Sequence, residues 1–380
     1  MSQSSPWPSA RLAVLAAFFI NGAFLATWVS RIPALQEQLG LSEGALGFIL
    51  LGLAAGVIVA LSLAGGLIAR FGSAKVTAVG LLVMGCTLPL LALAPQASLL
   101  WLALFVYGGA MSAMDVAMNA QAVQVEQNVG RPLMSSFHAA FSIGGLTGAL
   151  FGAGLAFMPP IFHFLIALLF FGSIALFAFR YLQPDEEAMP QSEAVFQLPP
   201  RALWLLGAIA FCSSIGEGSV ADWSAVYLRQ TFRTSASFAA LGFAAFSLTM
   251  TGGRLLGDGL AARYDAVQIV RWGGLIATVG ILAVIITEQP LIVLLGFAGV
   301  GAGLANIIPL SFSAAGKYPG IPSGVGIAGV ATIGYAGFLA GPPAIGLLAE
   351  ATSLRIALLF VAILVGSLIF TASAIRPSRG

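Results

Sequence analysis

The sequence predicts an all-α membrane protein, with twelve transmembrane helices in two pseudo-symmetric six-helix bundles. Three observations carry this reading. Of 380 residues, 59% are hydrophobic and only 8% are charged, against roughly 45–50% and 25% in soluble domains. The apolar residues fall in runs of about twenty without alternation, the length a helix needs to cross the hydrocarbon of a bilayer. A single long polar segment bisects the chain, and a short motif before it recurs after it.

A soluble fold could not hide this much apolar surface and keep a wettable exterior. In lipid, backbone polar groups must be satisfied within a helix or a closed barrel. Barrel strands alternate over about ten residues, so the long uniform runs here select helices. In chain order the expected spans are 11–30, 45–69, 75–94, 98–123, 135–158, 161–181, 201–228, 237–262, 268–287, 290–312, 323–348 and 353–375. The first run carries Asn21 and no A-x-A site, so it is read as a retained span rather than a cleaved leader. Between the sixth and seventh spans lie Asp185, Glu186, Glu187 and Glu193 among Pro184, Pro190, Pro199 and Pro200. This defines a bundle at 1–182, a cytoplasmic linker at 183–200 and a second bundle at 201–380.

An even span count puts both termini on one side, and the basic residues identify it. With the termini inside, Arg11, Arg70, Lys75, Arg131, Arg180, Arg201, Arg263, Arg271, Lys317, Arg376 and Arg379 face the cytoplasm. Only Arg31, Arg229, Arg233 and Arg355 face out, and Arg254 lies within a span. That asymmetry is a positive-inside signal, placing the chain in the cell inner membrane with cytoplasmic termini. The net charge of +2 gives no reason to expect a nucleic-acid partner. Cys86 and Cys212 sit inside apolar runs and are read as small core residues without a disulfide.

The two halves echo each other. Gly66-Leu67-Ile68-Ala69-Arg70-Phe71 follows the second span, and Gly259-Leu260-Ala261-Ala262-Arg263-Tyr264 follows the eighth, 193 residues later. The fifth and eleventh spans are both rich in glycine, around Ser142-Ile143-Gly144 and Thr332-Ile333-Gly334. Parallel repeats with a binding site between them are a recurring transporter plan.

The loop after the second span resembles the signature Gly-x-Leu-x-Asp-Arg-x-Gly-Arg-Lys of the major facilitator superfamily. Arg70, Gly72 and Lys75 fit, while Ala69 stands where the family has its aspartate. The resemblance implies the major facilitator fold and a gating role for Arg70 and Lys75. It leaves the family's cytoplasmic latch without its acid. The chain as a whole resembles the YbjJ-type bacterial inner-membrane proteins, through Ala26-Thr27-Trp28-Val29-Ser30-Arg31-Ile32-Pro33, Gly216-Glu217-Gly218-Ser219, Asp222-Trp223 and Gly341-Pro342-Pro343.

An ionisable residue in a span costs roughly 2.5–3.5 kcal/mol on insertion scales, so each one needs a reason. Asp115 and Asn119 lie four apart in the fourth span and share a helical face. Their string, Met114-Asp115-Val116-Ala117-Met118-Asn119, resembles the Leu-Glu-Thr-Ala-Ala-Asn of fucose:proton symporters. That resemblance implies proton coupling at Asp115 and sugar binding at Asn119. Glu217, between Gly216 and Gly218 in the seventh span and six residues before Trp223, resembles an acid and aromatic of the same relatives. It is the second proton-coupling candidate, with Trp223 a substrate contact. Asp222 reads as a rim residue paired with Arg229 or Arg31.

Asn21, Leu25 and Trp28 share one face of the first span, so Asn21 and Trp28 are substrate-binding candidates. Asn306, 191 residues after Asp115, is expected as its second-half counterpart, and Tyr335 as a further contact. One central cavity is expected to gather Asn21, Asp115, Asn119, Glu217 and Asn306. Arg254 and Asp258, four apart in the eighth span, read as a structural ion pair or as a cytoplasmic gate replacing the acid absent at position 69. His138 reads as a packing residue or a member of a proton path.

The sequence carries no Gly-rich phosphate loop with Lys-Ser/Thr, no zinc-binding set among two histidines and two cysteines, and no nucleophile–base arrangement. Neither an enzyme nor a cofactor is expected. The function read here is secondary transport, monomeric and lipid-embedded, of a sugar-like or other small-molecule solute with a proton. Proton-coupled efflux of an amphipathic compound is the alternative within transport, and a receptor on a transporter scaffold the alternative outside it. The charge asymmetry predicts that Ser192→Cys reacts with an impermeant maleimide in inside-out vesicles and not on intact cells. Labelling from outside would invert the topology.

Overall fold

Among the described residues, long helices follow one another along the chain. The computed structural model describes residues 7–130, 133–184 and 199–376, which contain helices and turns and no strand. In order these are α1 Trp7–Val29, α2 Ile32–Leu39, α3 Glu43–Phe71, α4 Ser73–Leu93, α5 Ala97–Val129, α6 Met134–Gly154 and α7 Pro160–Phe179. They continue with α8 Trp204–Phe232, α9 Ala236–Arg263, α10 Ala266–Ile286, α11 Pro290–Leu304, α12 Ile307–Gly316, α13 Ser323–Ala351 and α14 Leu354–Thr371. Among the described residues, eleven helical segments are long and apolar enough to cross a membrane, with α11 and α12 counted as one. The helix α6 occupies the place of the fifth expected span and completes the twelve.

Three features depart from the expected boundaries. The short helix α2 continues from α1, because Ile32, Leu35 and Gln36 find burial there. The helix α5 runs on to Val129 and closes at Gly130, whose φ of 70° places it in the left-handed region that glycine tolerates. The tenth span is broken at Ala305 and Asn306 into α11 and α12. Residues 185–198, most of the expected linker, lie outside the described residues, as do Arg131 and Arg379. Cys86 is exposed rather than in the core, whereas Cys212 is buried; a small polarisable side chain tolerates a lipid-facing position.

Two compact units form. The first holds Met1–Leu39 and Gly52–Glu193, the second Gly40–Leu51 and Ala194–Gly380. The first turns of α3 therefore group with the second unit. There Glu350 of α13 accepts hydrogen bonds from the Ser42 hydroxyl at 3.0 Å and the Gly44 N–H at 2.8 Å. A carboxylate at that point satisfies an N–H that the helix start leaves open and faces the positive end of its dipole.

Glycines set the packing within each unit. A methyl group on Gly144 of α6 would overlap the carbonyl oxygen of Phe19 on α1, and one on Gly148 that of Ala23. Gly108 of α5 presses on the Leu53 carbonyl of α3, and Gly301 of α11 on the Phe246 carbonyl of α9. The latter two contacts are related by 193 residues on both sides. The motif glycine, Gly72, joins α3 to α4 at a φ of 84°, which only glycine adopts without strain.

Arg31 is 2% exposed, not an outer-loop charge. It donates from Nε to Nδ1 of His163 on α7 at 2.7 Å and from its Nη atoms to the carbonyls of Ala156 and Leu155. It thus satisfies carbonyls at the end of α6, where a cation also meets the negative end of the helix dipole.

Glycine packing predicts that Gly144→Ala lowers the unfolding midpoint in detergent by several degrees, because a helix backbone must move. Gly65→Ala, where a Cβ meets nothing within 4 Å, serves as the control. Equal midpoints would show that α1 and α6 do not depend on this approach.

Candidate functional site

In the first unit the polar set lies on α1 and α5. Asp115 and Asn119 are both partly buried. The Asn119 amide donates from Nδ2 to the backbone oxygen of Asp115 at 2.8 Å and lies 3.5 Å from its carboxyl Oδ1. One turn of α5 thus joins the two side chains, as their spacing implies. Asn21 is 1% exposed. Its Nδ2 reaches only the Met118 thioether, at 3.8 Å, and its Oδ1 is buried without a partner. The Tyr107 hydroxyl, two turns before Asp115 on α5, is also buried and unpartnered. An orphaned buried polar atom costs about 1–3 kcal/mol, so these atoms are conspicuous in an apolar bundle. Trp28 is almost fully buried in the core and Leu25 is partly exposed.

In the second unit the expected pairing of Arg254 with Asp258 gives way to a different one. The side chain of Asp258 lies outside the described residues, and Arg254 of α9 meets Glu217 of α8 at 3.6 Å. Glu217 is 14% exposed and Arg254 36%. The flanking Gly216 lets Leu304 and Val365 approach the α8 backbone, and Gly218 lets Phe338 do so. Its Oε1 is buried without a partner, as are Nε1 of Trp223 and the Ser213 and Ser224 hydroxyls of the same helix. Asp222 is partly buried, and Arg229 donates to the Thr234 carbonyl at 2.8 Å.

Asn306, at the break between α11 and α12, donates to the Gly253 carbonyl at 3.0 Å, next to Arg254 in sequence. It also lines a groove of about 330 Å³ with Tyr264 and Trp272. A second groove, of about 510 Å³, lies against α3, α4 and α5 and is apolar apart from Lys75. Every residue lining the first groove stands 193 positions after a residue lining the second. This register makes Asn306 the counterpart of Ala113, and Asp115 corresponds to Ile308. The expected equivalence of Asn306 with Asp115 is corrected accordingly: the helix crossings fix the repeat, and they permit no two-residue slip.

Of the remaining candidates, Arg70 is exposed with its guanidinium 5.2 Å from the Phe71 ring centre, and Lys75 is exposed. Tyr335 on α13 is 36% exposed. His138 packs edge-on against Phe18 at 5.3 Å.

The model of the Major Facilitator Superfamily matches residues 13–324. The chain belongs to the Major Facilitator Superfamily. It is 37% identical to an uncharacterized transporter of Sinorhizobium fredii, with 94% of each chain covered. It is 35% identical to an uncharacterized MFS-type transporter of Yersinia pestis, covering 97% of each. Membrane protein MosC of Rhizobium meliloti is 32% identical over 95% of this chain and 88% of its own. The fold matches a point mutant of the nucleoside transporter NupG with a TM-score of 0.78 at 14% identity, over 98% and 100% of the two chains. A bacterial homolog of the lysosomal transporter Spinster matches with a TM-score of 0.76 at 16% identity, over 99% and 100%.

Major facilitator proteins are transporters, so the buried polar atoms belong to a carrier of small-molecule solutes rather than to an enzyme. The Glu217–Arg254 pair escaped the sequence reading because 37 positions separate its members. The available signal was that Arg254 is the one basic residue left inside a span, where a charge needs a counter-charge.

The pair predicts a test. Arg254→Ala leaves a nearly buried carboxylate without its counter-charge. Breaking a fully buried pair costs roughly 3–5 kcal/mol; with Arg254 a third exposed, about 1–3 kcal/mol is expected. Adding Glu217→Gln should restore part of the lost unfolding midpoint in a double-mutant cycle. A double variant no more stable than Arg254→Ala alone would show that the two charges are not coupled.

Proposed function

We propose that this chain is a proton-coupled symporter of the inner membrane. It takes up a sugar-like or other small polar solute by alternating access, acting as a monomer with both termini in the cytoplasm. The observation that carries this reading is the sharing of the Asn119 amide between the backbone and carboxyl oxygens of Asp115. A solute hydroxyl that recruits the amide of Asn119 changes the surroundings of the carboxyl, linking binding to protonation. Asn21 supports the same reading, because its unpartnered Oδ1 is an acceptor for a hydroxyl donor.

Asp115 is the first choice as proton carrier. A carboxylate moved through a low-dielectric interior carries a desolvation cost that the neutral acid does not. The acid loads a proton outside, where the gradient supplies it, changes face neutral with its solute, and releases the proton inside. Glu217 is the second choice. Asn21, Asn119, Trp28, Trp223, Asn306 and Tyr335 are the proposed solute contacts. Arg70, Lys75, Arg254 and Asp258 are the proposed gating groups.

Uptake of a labelled metabolite panel into proteoliposomes, with and without a pH gradient, tests the reading. Asp115→Asn should retain solute exchange and lose accumulation driven by the gradient. If Asp115→Asn still concentrates solute with an unchanged pH profile, Asp115 is not the carrier, and Glu217→Gln is put through the same assay. Gradient-driven uptake by both variants would overturn proton coupling through these acids.

A further inference from the structure

The groups around Glu217 are few. The elements packed against α8 are chiefly α9, α11, α12, α13 and α14. Neither α11 nor α12 contains a titratable residue. The only charged residue of α13 is Glu350, held at the start of α3, and the only one of α14 is Arg355, paired with Glu288 at 2.8 Å. Asp222 shares α8 with Glu217, and α9 contributes Arg254, Asp258 and Arg263. Of these, only Arg254 comes within ion-pair distance of Glu217 among the described residues.

The match between the two charges is poor. At 3.6 Å the contact is longer than a charge-assisted hydrogen bond of about 2.7–2.9 Å. Arg254 donates no hydrogen bond among the described residues, so the planar fork that suits a carboxylate in two-pronged contact is unused. The other carboxyl oxygen, Oε1, is buried and unpartnered. Arg254 is about a third exposed, whereas Glu217 is nearly closed off. A pair built only to hold two helices would satisfy both partners, because a half-satisfied buried charge is costly. The guanidinium is the half of this pair that a ligand can reach.

We infer that Arg254 binds the carboxylate of a small hydroxylated monoanion, a sugar-acid type of solute, and that Glu217 takes up a proton as this anion arrives. The inference names the solute class within the transport reading proposed above and rests on it. The step balances: the Glu217 carboxylate gains a proton from water and becomes a neutral acid. Arg254 keeps its charge throughout and exchanges Glu217 for the solute carboxylate. No net charge is left in the low-dielectric interior before or after. The protonated acid also acquires a donor, giving the closed-off carboxyl a neutral form that needs no counter-ion. This proton is separate from the one assigned to Asp115.

Because anion and proton enter together, affinity rises as pH falls, by up to about tenfold per unit. Purified protein in detergent micelles is titrated with gluconate and, in parallel, with its uncharged counterpart sorbitol between pH 6 and 8. Thermal stabilisation gives the affinity, and a pH indicator in weak buffer gives proton uptake. The wild type should bind gluconate at least tenfold tighter than sorbitol, more tightly at pH 6 than at pH 8, and take up a proton on binding. Glu217→Gln, a neutral stand-in for the acid, should bind gluconate at pH 8 at least tenfold tighter than the wild type. It should take up one proton fewer than the wild type on binding and lose the corresponding part of the pH dependence. Arg254→Ala should lose the preference for gluconate, and Arg254→Lys should keep part of it. Equal binding of sorbitol, no stabilisation of the wild type by gluconate, or proton uptake in Glu217→Gln undiminished from the wild type would each overturn the inference. Uptake of an uncharged solute driven by a pH gradient would leave the transport reading standing and remove this one alone.

Discussion

In a bilayer two helices have no hydrophobic reason to associate, since lipid tails are as apolar as leucine. What holds them is the closeness with which their backbones approach, and this structure reaches that closeness through glycine. Gly22, Gly144 and Gly148 between α1 and α6, Gly56 and Gly108 between α3 and α5, and Gly280, Gly296 and Gly303 between α10 and α11 each press on a neighbouring carbonyl. Dispersion between atoms at contact is individually weak and collectively large. Glycine admits it where a side chain would hold the helices apart. These interhelical glycines are therefore a packing device rather than a source of looseness.

The same crossings make the repeat visible. The contact of Gly108 with Leu53 returns as Gly301 with Phe246, and both lateral grooves use positions 193 residues apart. Where the halves differ, the difference is chemical. Gly56 approaches the Phe105 carbonyl bare, while its counterpart Thr249 donates a hydrogen bond of 2.6 Å to the corresponding carbonyl of Ala298. Ala113 on the unbroken α5 corresponds to Asn306 at the break between α11 and α12. A shared backbone plan thus carries different polar groups at matching places, which a carrier needs if its halves are to do different work.

The interior polar groups follow one rule and break it in a few places. Charges and amides in hydrocarbon find partners or sit where water and solute reach them. Arg31 obeys by turning to His163 and the end of α6. Asn21, Tyr107, Glu217 and Trp223 each keep a buried atom without a partner. In an otherwise apolar protein these atoms stand out, because each forgoes a hydrogen bond that burial makes costly.

By itself the sequence determined the membrane class, the twelve spans, the repeat and the identity of the rare acids, because each follows from hydropathy or local spacing. Asp115 and Asn119 were legible together since one helical turn joins them. The tertiary structure alone decided that Arg254 meets Glu217, that Arg31 is buried against His163, that Asn306 answers to Ala113, and that α3 begins against Glu350. These pairings join residues far apart in the chain. Their geometry is set by how near one backbone comes to another, a property of the assembled bundle that no local pattern encodes.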